Sequence, residues 1–183
     1  MANPSKWLTH WPGDFDAWTE GIGCYDQLKL KNNNKLPIGL LNGNCLSQCN
    51  VTLLATLKNE PYMNTHGLPI PECLSWWMTR KLNGGAIATI GSTAASYVMM
   101  GNKYNDPDGD GIDEPDCVEE YSGYLIRSFF ETYNNSVDIL GETWGETINK
   151  FIDTWPTNFD QVDSKTVQEW ILFGDPSLKI GGY

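Results

Sequence analysis

The sequence predicts an α/β fold, because two short apolar runs flank a segment of helical periodicity. Residues 36–41 form a mostly apolar run between asparagine-rich turns, which is typical of a buried strand. Over residues 72–82 the apolar side chains recur at helical spacing, and Asn-Gly-Gly at 83–85 supplies a left-handed helix stop. Residues 86–90 form the second apolar run. Strand, helix and strand in this order predict a mostly parallel sheet with right-handed connections.

Helical spacing of apolar residues predicts two further helices in the second half of the chain. Their apolar faces consist of Leu125, Ile126, Phe129, Phe130 and Tyr133 in one helix and Leu140, Trp144, Ile148, Phe151 and Ile152 in the other. A last periodic stretch, 167–173, ends at the turn sequence Gly-Asp-Pro-Ser, which leads into residues 178–180. A chain of 183 residues that is 40% hydrophobic is long enough for a core, so we predict a single domain over residues 1–183.

The charge and the composition exclude two classes of partner. The 23 acidic and 12 basic residues give a net charge of −11, which repels nucleic-acid phosphates and anionic membrane surfaces. The longest uncharged stretches, 36–57 and 82–102, are interrupted by Asn, Gly and Ser, so neither predicts a membrane span. The 5 cysteines are an odd set, which in an oxidising compartment allows two disulfides and one free thiol.

Cys45 and His10 are candidates for a catalytic pair. A cysteine nucleophile needs a histidine that takes its proton and holds the resulting charge. His10 precedes the first predicted strand and Cys45 follows it, and functional loops gather at the carboxyl ends of parallel strands. The spacing alone leaves open that His10 is a surface residue and Cys45 a buried or disulfide-bonded thiol. The C-x₃-C pair of Cys45 and Cys49 also leaves open a zinc site.

Several segments resemble, in the same order, those of the gingipain-type cysteine peptidases. Asp26-Gln27-Leu28-Lys29 through Lys35, residues 36–41 and Gly43-Asn44-Cys45 resemble the stretch that leads to the nucleophile of that family. The later segments that are similar are Cys73-Leu74 through Thr79-Arg80, Gly84-Gly85-Ala86-Ile87-Ala88, Ile90-Gly91-Ser92-Thr93 and Phe173-Gly174-Asp175-Pro176-Ser177-Leu178. The resemblance spans most of the chain from His10 onward.

The resemblance implies a caspase-like three-layer α/β sandwich with Cys45 as the nucleophile and His10 as the general base. The oxyanion hole is then expected to use the backbone N–H groups of Cys45 and Trp11. Trp11 departs from the family, whose members usually carry glycine at that position. His66, which is followed by glycine, is a rival base, but it follows Cys45, and the order of the motifs in the chain favours His10.

The resemblance also implies a pocket for the substrate residue that precedes the cleaved bond. The segment expected to border this pocket contains Ser92, Thr93, Ser96, Tyr97 and Val98. Val98 stands where some relatives have an aromatic residue. The implied activity is that of a cysteine endopeptidase which acts on peptide or protein substrates without an organic cofactor.

Only nine residues precede His10, whereas a caspase-like domain has several strands before its catalytic histidine. We therefore expect the N-terminal strands to be missing and an N-terminal segment of the same enzyme to be a partner. Residues 1–6 lack the apolar core of a secretory signal, so secretion or display at the cell surface requires a signal upstream of this start, and retention in the cell is the alternative. Trp11 and the short N-terminus also favour a second reading, a catalytically inactive binding or surface module stabilised by calcium.

An acidic loop near residues 105–117 predicts a structural calcium site. Aspartates alternate along a turn, a glycine permits the bend, a carbonyl follows and a glutamate closes the shell, all of which suit a hard cation that prefers oxygen ligands. The predicted ligands are Asp106, Asp108, Asp110, the carbonyl of Ile112, and Glu114. The spacing is like that of thrombospondin-type and dockerin-type repeats and departs from the EF-hand, whose twelfth position here is Cys117. A solvated acidic loop without a metal is the alternative.

Overall fold

The computed structural model describes residues 30–44, 46–49, 73–101, 106, 109–155 and 159–182. The chain divides into two compact units. The first, which we call the sheet unit, consists of Met1–Ser96 and Trp170–Gly174, and the second, the helical unit, consists of Tyr97–Glu169 and Asp175–Tyr183. The single domain expected over residues 1–183 stays a prediction.

The described part of the sheet unit contains three strands and one helix. Strand β1 is Ile38–Leu41, helix α1 is Leu74–Arg80, strand β2 is Ala88–Ser92 and strand β3 is Trp170–Phe173. The strand order is β1-β2-β3, with β1 parallel to β2 and β3 antiparallel to β2. The predicted α/β class and the parallel pairing of the first two strands are therefore confirmed, but the described sheet is mixed rather than mostly parallel.

Strand β2 lies in the centre of this sheet and is buried along its whole length. Ala88 and Ile90 are fully buried, as is typical of a strand that is paired on both edges and covered on both faces. The predicted strand at 86–90 is shifted toward the carboxyl end, because the N–H of Ala86 donates to the carbonyl of Met78 at 3.0 Å and serves the end of α1 instead. The predicted helix stop is present, since Asn83 and Gly85 have φ values of 61° and 90°.

The last periodic stretch, residues 167–173, is helical at its start and forms a strand at its end. Helix α5, in the helical unit, ends at Glu169, and Trp170 begins β3. The residues of β3 are Trp-Ile-Leu-Phe, which suit a strand, and Ile90 of β2 lies opposite Leu172. The spacing of apolar residues alone could not separate the helix from the strand, because short apolar runs fit either a strand or a buried helical segment.

The described helical unit contains four helices: α2 at Asp116–Glu119, α3 at Tyr121–Asn134, α4 at Leu140–Thr154 and α5 at Gln161–Glu169. The two long helices predicted from apolar spacing are α3 and α4, and they are confirmed. Leu125, Leu140 and Phe151 are fully buried, and the rings of Tyr124 and Phe151 pack with centroids 5.9 Å apart. No helix among the residues seen here has both the length and the apolar content that a membrane crossing needs.

The C-terminal tail supplies hydrogen-bond acceptors to the start of α4. The N–H of Leu140 donates to the carbonyl of Leu178 at 2.8 Å, and the N–H of Gly141 donates to the carbonyl of Pro176 at 2.8 Å. The first N–H groups of a helix have no acceptor within the helix, so these two bonds satisfy donors that would otherwise lack a partner. Asp175 holds the turn, because its Oδ1 accepts hydrogen bonds from the N–H and the hydroxyl of Ser177.

Two glycines of α4 provide a matched test of this contact. A Cβ on Gly141 would lie 2.8 Å from Pro176 Cβ and 2.9 Å from the Pro176 carbonyl oxygen, whereas a Cβ on Gly145 would meet nothing within 4 Å. We expect Gly141→Ala to destabilise the protein by about 1–3 kcal/mol, since the tail must move. Gly145→Ala should stabilise it by about 0.5–1 kcal/mol through helix propensity. Urea unfolding of both variants measures the difference, and equal effects would contradict the packing.

Candidate functional site

The residues predicted to carry catalysis lie outside the described part of the chain. These residues are His10, Trp11, Cys45 and the rival base His66. The described structure does include both neighbours of Cys45 in the chain, Asn44 and Leu46. We call residues 42–49 the β1 loop, because they follow the carboxyl end of β1 at Leu41.

Hydrogen bonds from three other segments fix the β1 loop. The N–H of Ser96 donates to Asn44 Oδ1 at 2.7 Å. The N–H of Ser75 donates to the carbonyl of Leu46 at 3.1 Å. The N–H of Ser47 donates to the carbonyl of Ser92, the last residue of β2, at 2.9 Å. The loop is therefore attached to β2, to the segment after β2 and to the start of α1.

The bond from Ser75 also satisfies the amino end of α1. Cys73 precedes this helix, and no side chain caps it. The first N–H groups of a helix lack acceptors within it, and the carbonyl of Leu46 accepts from one of them. The start of α1 and the β1 loop therefore hold each other in place.

Two buried hydroxyl groups join the same elements. Ser47 and Ser75 are both fully buried, and their Oγ atoms form a short hydrogen bond. Gly91 of β2 leaves the space for this contact, because a Cβ at that position would lie 2.6 Å from Ser47 Oγ. Thr89 Oγ1 donates to the carbonyl of Ser75 at 3.4 Å. This polar cluster was not predicted, although an isolated glycine inside a strand pattern is a signal of close approach.

The predicted pocket segment begins in the sheet unit. Ser92 is fully buried, its hydroxyl donates to the carbonyl of Ala94 at 2.7 Å, and the N–H of Ala94 donates back to Ser92 Oγ at 3.3 Å. Thr93 and Ser96 are half-buried, and Ser96 Oγ is enclosed without a hydrogen-bond partner in the part of the chain that the structure describes. Ser92 ends β2, and Thr93 and Ser96 come shortly after it. The bond from Ser96 to Asn44 places this segment at the same end of the sheet as the β1 loop.

Tyr97 and Val98 belong to the helical unit and are exposed. The ring of Tyr97 packs against that of Tyr121 with centroids 6.4 Å apart, and Lys165 Nζ lies 4.5 Å from its centroid. The carbonyl of Tyr97 accepts a hydrogen bond from the hydroxyl of Ser122 at 2.8 Å. The pocket that these residues were expected to border stays a prediction.

In the acidic loop, residues 106–114, the N–H groups of the described Gly109 and Gly111 both donate to Asp106. Asp106 has φ 54°, and its Oδ2 accepts a hydrogen bond from the N–H of Gly111 at 2.9 Å. Gly111 itself has φ 86°, which agrees with the bend predicted there. Asp106 Oδ1 is enclosed and has no hydrogen-bond partner among the described residues, so within them one carboxylate oxygen is available to a cation. Asp108 lies outside the described residues.

Arg127 of α3 pairs with the remaining carboxylates of this loop. Its guanidinium group bonds to Asp110, to Glu114 and, at 2.7 Å, to Glu131 one helical turn further on. The hydrogen bond from Arg127 lowers the pKa of Asp110. Burial acts in the opposite direction at Glu131, but hydrogen bonds from Lys150 and Arg127 hold its pKa below the ordinary value. Arg127 was not predicted as a partner of the acidic loop, because it lies on a separate helix.

The oxygen donors of the loop suit calcium in kind, but they do not form a closed shell. In the part of the chain that the structure describes, no three acidic, cysteine or histidine side chains converge closely enough to hold a metal ion. Arg127 supplies the positive charge beside Asp110 and Glu114 in this arrangement. A bound calcium ion would therefore have to displace the guanidinium group from those carboxylates.

Comparison with known protein families shows which family the chain belongs to. The family described as Peptidase family C25, the gingipain family, matches residues 9–181. The chain belongs to this family. Searches of curated proteins and of solved structures returned no significant match. The gingipain family consists of cysteine peptidases that act on proteins and are generally extracellular or attached to the cell surface.

The described cysteines differ in how well their surroundings suit a catalytic nucleophile. Cys49 is exposed, Cys73 is buried, Cys117 is half-buried, and all three are free thiols. Burial raises the pKa of the Cys73 thiol, and the nearby Cys49 adds to this effect. A raised thiol pKa lowers the fraction of thiolate, which is the nucleophilic form. Cys73 is therefore poorly suited to be the nucleophile of a gingipain-family enzyme.

The pairing of Arg127 gives the helical unit a defined dependence on pH. Because Asp110 and Glu131 have lowered pKa values, these two groups bind fewer protons in the folded protein than in the unfolded chain in mildly acidic solution. Their stabilising contribution is complete above the unfolded carboxyl pKa of about 4 and is lost as the pH falls through the folded values. Arg127→Met should therefore reduce the drop in Tm between about pH 6 and pH 3, measured with a chelator present.

A matched control separates this effect from the loss of any basic residue. Lys179 forms an exposed ion pair with Asp138 at 3.1 Å in the same unit. Lys179→Met should leave the pH dependence of Tm close to that of the unchanged chain, because exposed single pairs contribute little. Identical pH profiles for the two variants would refute the role given to Arg127.

Proposed function

We propose that this chain is a cysteine endopeptidase in which Cys45 is the nucleophile and His10 the general base. The observation that carries the proposal is the gingipain-family match over residues 9–181, which includes both positions. The hydrogen bonds of the β1 loop support it, because a nucleophile needs a fixed backbone and Asn44 and Leu46, on either side of Cys45, are both held. The raised pKa of Cys73 supports it as well, since that thiol is a poor alternative.

In this mechanism His10 takes the proton of Cys45, and the sulfur attacks the carbonyl carbon of the scissile peptide bond. The backbone N–H groups of Cys45 and Trp11 donate to the oxyanion of the tetrahedral intermediate. The imidazolium then gives its proton to the leaving amine as the carbon–nitrogen bond breaks. Water attacks the resulting thioester with His10 again as the base, which releases the acid product and returns the thiol.

Substrate binding would use the segment after β2. Ser92, Thr93, Ser96, Tyr97 and Val98 would border the pocket for the residue that precedes the cleaved bond. The hydroxyl of Ser96, which has no partner among the described residues, supports a polar contact at this place, because an enclosed hydroxyl without a partner is unfavourable. The expected substrates are peptides or proteins, and an N-terminal segment of the same enzyme is the expected partner. We place the enzyme outside the cell or at its surface.

Four variants test the catalytic assignment against a library of fluorogenic peptides. Cys45→Ala and His10→Ala should each lower kcat/KM by about a thousandfold or more, because each removes a member of a unit that acts together. Cys49→Ser and His66→Ala are the matched controls and should keep most of the activity. Loss of activity in His66→Ala with retention in His10→Ala would transfer the role of base to His66.

The second candidate function is an inactive peptidase-like module that binds calcium. Trp11 favours it, because its side chain narrows the backbone conformations available where the family usually has glycine. For this candidate no peptide of the library is cleaved, and the thiol of Cys45 shows the reactivity of an ordinary cysteine. Cleavage that depends on Cys45 excludes it.

We further propose that the acidic loop binds structural calcium through Asp106, Asp108, Asp110, Glu114 and the carbonyl of Ile112. The enclosed Oδ1 of Asp106 supports this proposal, because no described residue bonds to it. Calcium supplies positive charge that fixes the loop, in place of the guanidinium group of Arg127. The ligands are oxygens throughout, as calcium prefers.

Calcium should raise the Tm of the full chain, because a ligand that binds only the folded state stabilises it. Asp106→Asn should abolish the rise, and the matched control Asp138→Asn, outside the loop, should retain it. Arg127→Met should strengthen calcium binding by about tenfold, since a like charge near the ion is removed. Thermal melts in calcium and in chelator measure all three effects. Equal Tm values for the full chain in both buffers would exclude the site.

A further inference from the structure

We propose that Ser47, Ser75 and Gly91 form a clamp that positions Cys45 for attack, an inference that rests on the proposed peptidase function. The clamp joins the β1 loop to α1 through the hydrogen bond between two buried hydroxyl groups, and it joins the loop to β2 through the close approach at Gly91. These are positioning residues, because they act on the segment that carries the nucleophile.

The first argument is that the chain is held on both sides of Cys45 by different elements. Asn44 Oδ1 accepts from the N–H of Ser96, which follows β2. The carbonyl of Leu46 accepts from the N–H of Ser75 in α1, and the N–H of Ser47 donates to the carbonyl of Ser92 in β2. Asn44, Leu46 and Ser47 are each anchored in this way, and Cys45 stands between the first two in the sequence.

The second argument concerns the cost of the two hydroxyl groups. Ser47 and Ser75 are fully buried, and a buried hydroxyl is unfavourable unless it is hydrogen-bonded. The two serines meet this requirement with each other. An alanine pair would avoid the requirement altogether, so the serines contribute what alanines lack, namely a directional link between the β1 loop and α1. Loss of one partner leaves the other unsatisfied, and the loop must then shift to find a new partner or water.

The third argument concerns Gly91, which lies close to Ser47. Gly91 is the fourth of the five residues of β2, and its backbone pairs with Leu41 on one side and Ile171 on the other. Glycine weakens a strand interior, and its presence there marks a close approach. The approaching group is Ser47 Oγ, which would lie 2.6 Å from a Cβ at this position. Gly91 therefore lets the β1 loop rest directly on the sheet.

The consequence for catalysis is geometric. Displacement of a reacting group by about 1 Å lowers the rate by about a hundredfold, because the sulfur and the carbonyl carbon must meet in a near-attack arrangement. Loss of the hydroxyl link loosens the attachment of the β1 loop to α1, whereas the bonds that join the loop to Ser92 and Ser96 do not involve either hydroxyl group and are kept. The clamp should therefore act on kcat and leave KM nearly unchanged.

The test compares Ser47→Ala, Ser75→Ala, the double variant and Gly91→Ala with the full chain on one cleaved peptide. Each of the three single variants, Ser47→Ala, Ser75→Ala and Gly91→Ala, should lower kcat by about ten- to a hundredfold with KM changed less than about twofold. The double variant should be no worse than either single variant, since the two serines share one bond. Because the double variant leaves no buried hydroxyl unsatisfied, it carries the test if a single variant does not fold.

Asn32→Ala is the matched control at the other end of the sheet unit. The side chain of Asn32 donates to the carbonyls of Lys35 and Gly85 and accepts from the N–H of Gly85. Its loss should lower Tm and leave kcat within about twofold, because it touches no part of the β1 loop. A clamp that only stabilises the fold would give the same kcat in the serine variants and in this control, which would overturn the proposal.

A second readout separates failure of the clamp from failure of the proposed function. The alkylation rate of Cys45 by iodoacetamide is measured against pH, with the labelled cysteine located by mass spectrometry. We expect the serine variants to shift this profile and Asn32→Ala to leave it unchanged. If Cys45→Ser still cleaves peptides, the proposed function fails and the alkylation profile alone decides the clamp. If Cys45→Ser is inactive but folded serine variants match the full chain in both kcat and profile, the clamp fails and the function stands.

Discussion

The complete burial of β2 is the constraint on which the rest of the sheet unit depends. A strand with partners on both edges and cover on both faces can carry only side chains that fit the space left by its neighbours. The sequence of β2 is Ala-Thr-Ile-Gly-Ser, in which the bulky Ile90 fills the core and the other side chains are small or medium-sized. Small residues at the carboxyl end let the β1 loop and the start of α1 approach closely. The positions of Leu46 and Ser47 in the β1 loop therefore follow from the packing of this strand.

Local patterns in the sequence identified the elements that they encode directly. The apolar run before Asn42, the helical spacing after Cys73 and the left-handed stop at Gly85 each depend on a few adjacent residues, and each corresponds to an observed element. The antiparallel β3 was not recognised as a strand, because its assignment depends on pairing with β2, which is distant in sequence. Helix α2 was not recognised either, since four residues carry too little periodicity to be distinguished from a turn.

The same distinction between local patterns and distant contacts applies to the candidate site. The sequence pointed to Cys45, His10 and the acidic loop through motifs, whose members lie close together in the chain or in a known order. Ser75 and Arg127 were beyond that reasoning, because their partners lie 28 and 17 positions away, on other elements. Arg127 also alters the physical picture of the acidic loop. In a chain with a net charge of −11, the carboxylates of such a loop repel one another unless a cation is near, and here a side chain provides it.

The bonds between the C-terminal tail and α4 involve main-chain atoms on both sides. Such a cap does not depend on which side chains the tail carries at Pro176 or Leu178, apart from the space required beside Gly141. Replacement of Pro176 or Leu178 is therefore tolerated better than replacement of Asp175, whose side chain holds the turn, whereas a change in the length of the tail moves its carbonyl groups out of register with the helix. Insertions and deletions, rather than replacements, should accordingly be the rare events in this part of the family.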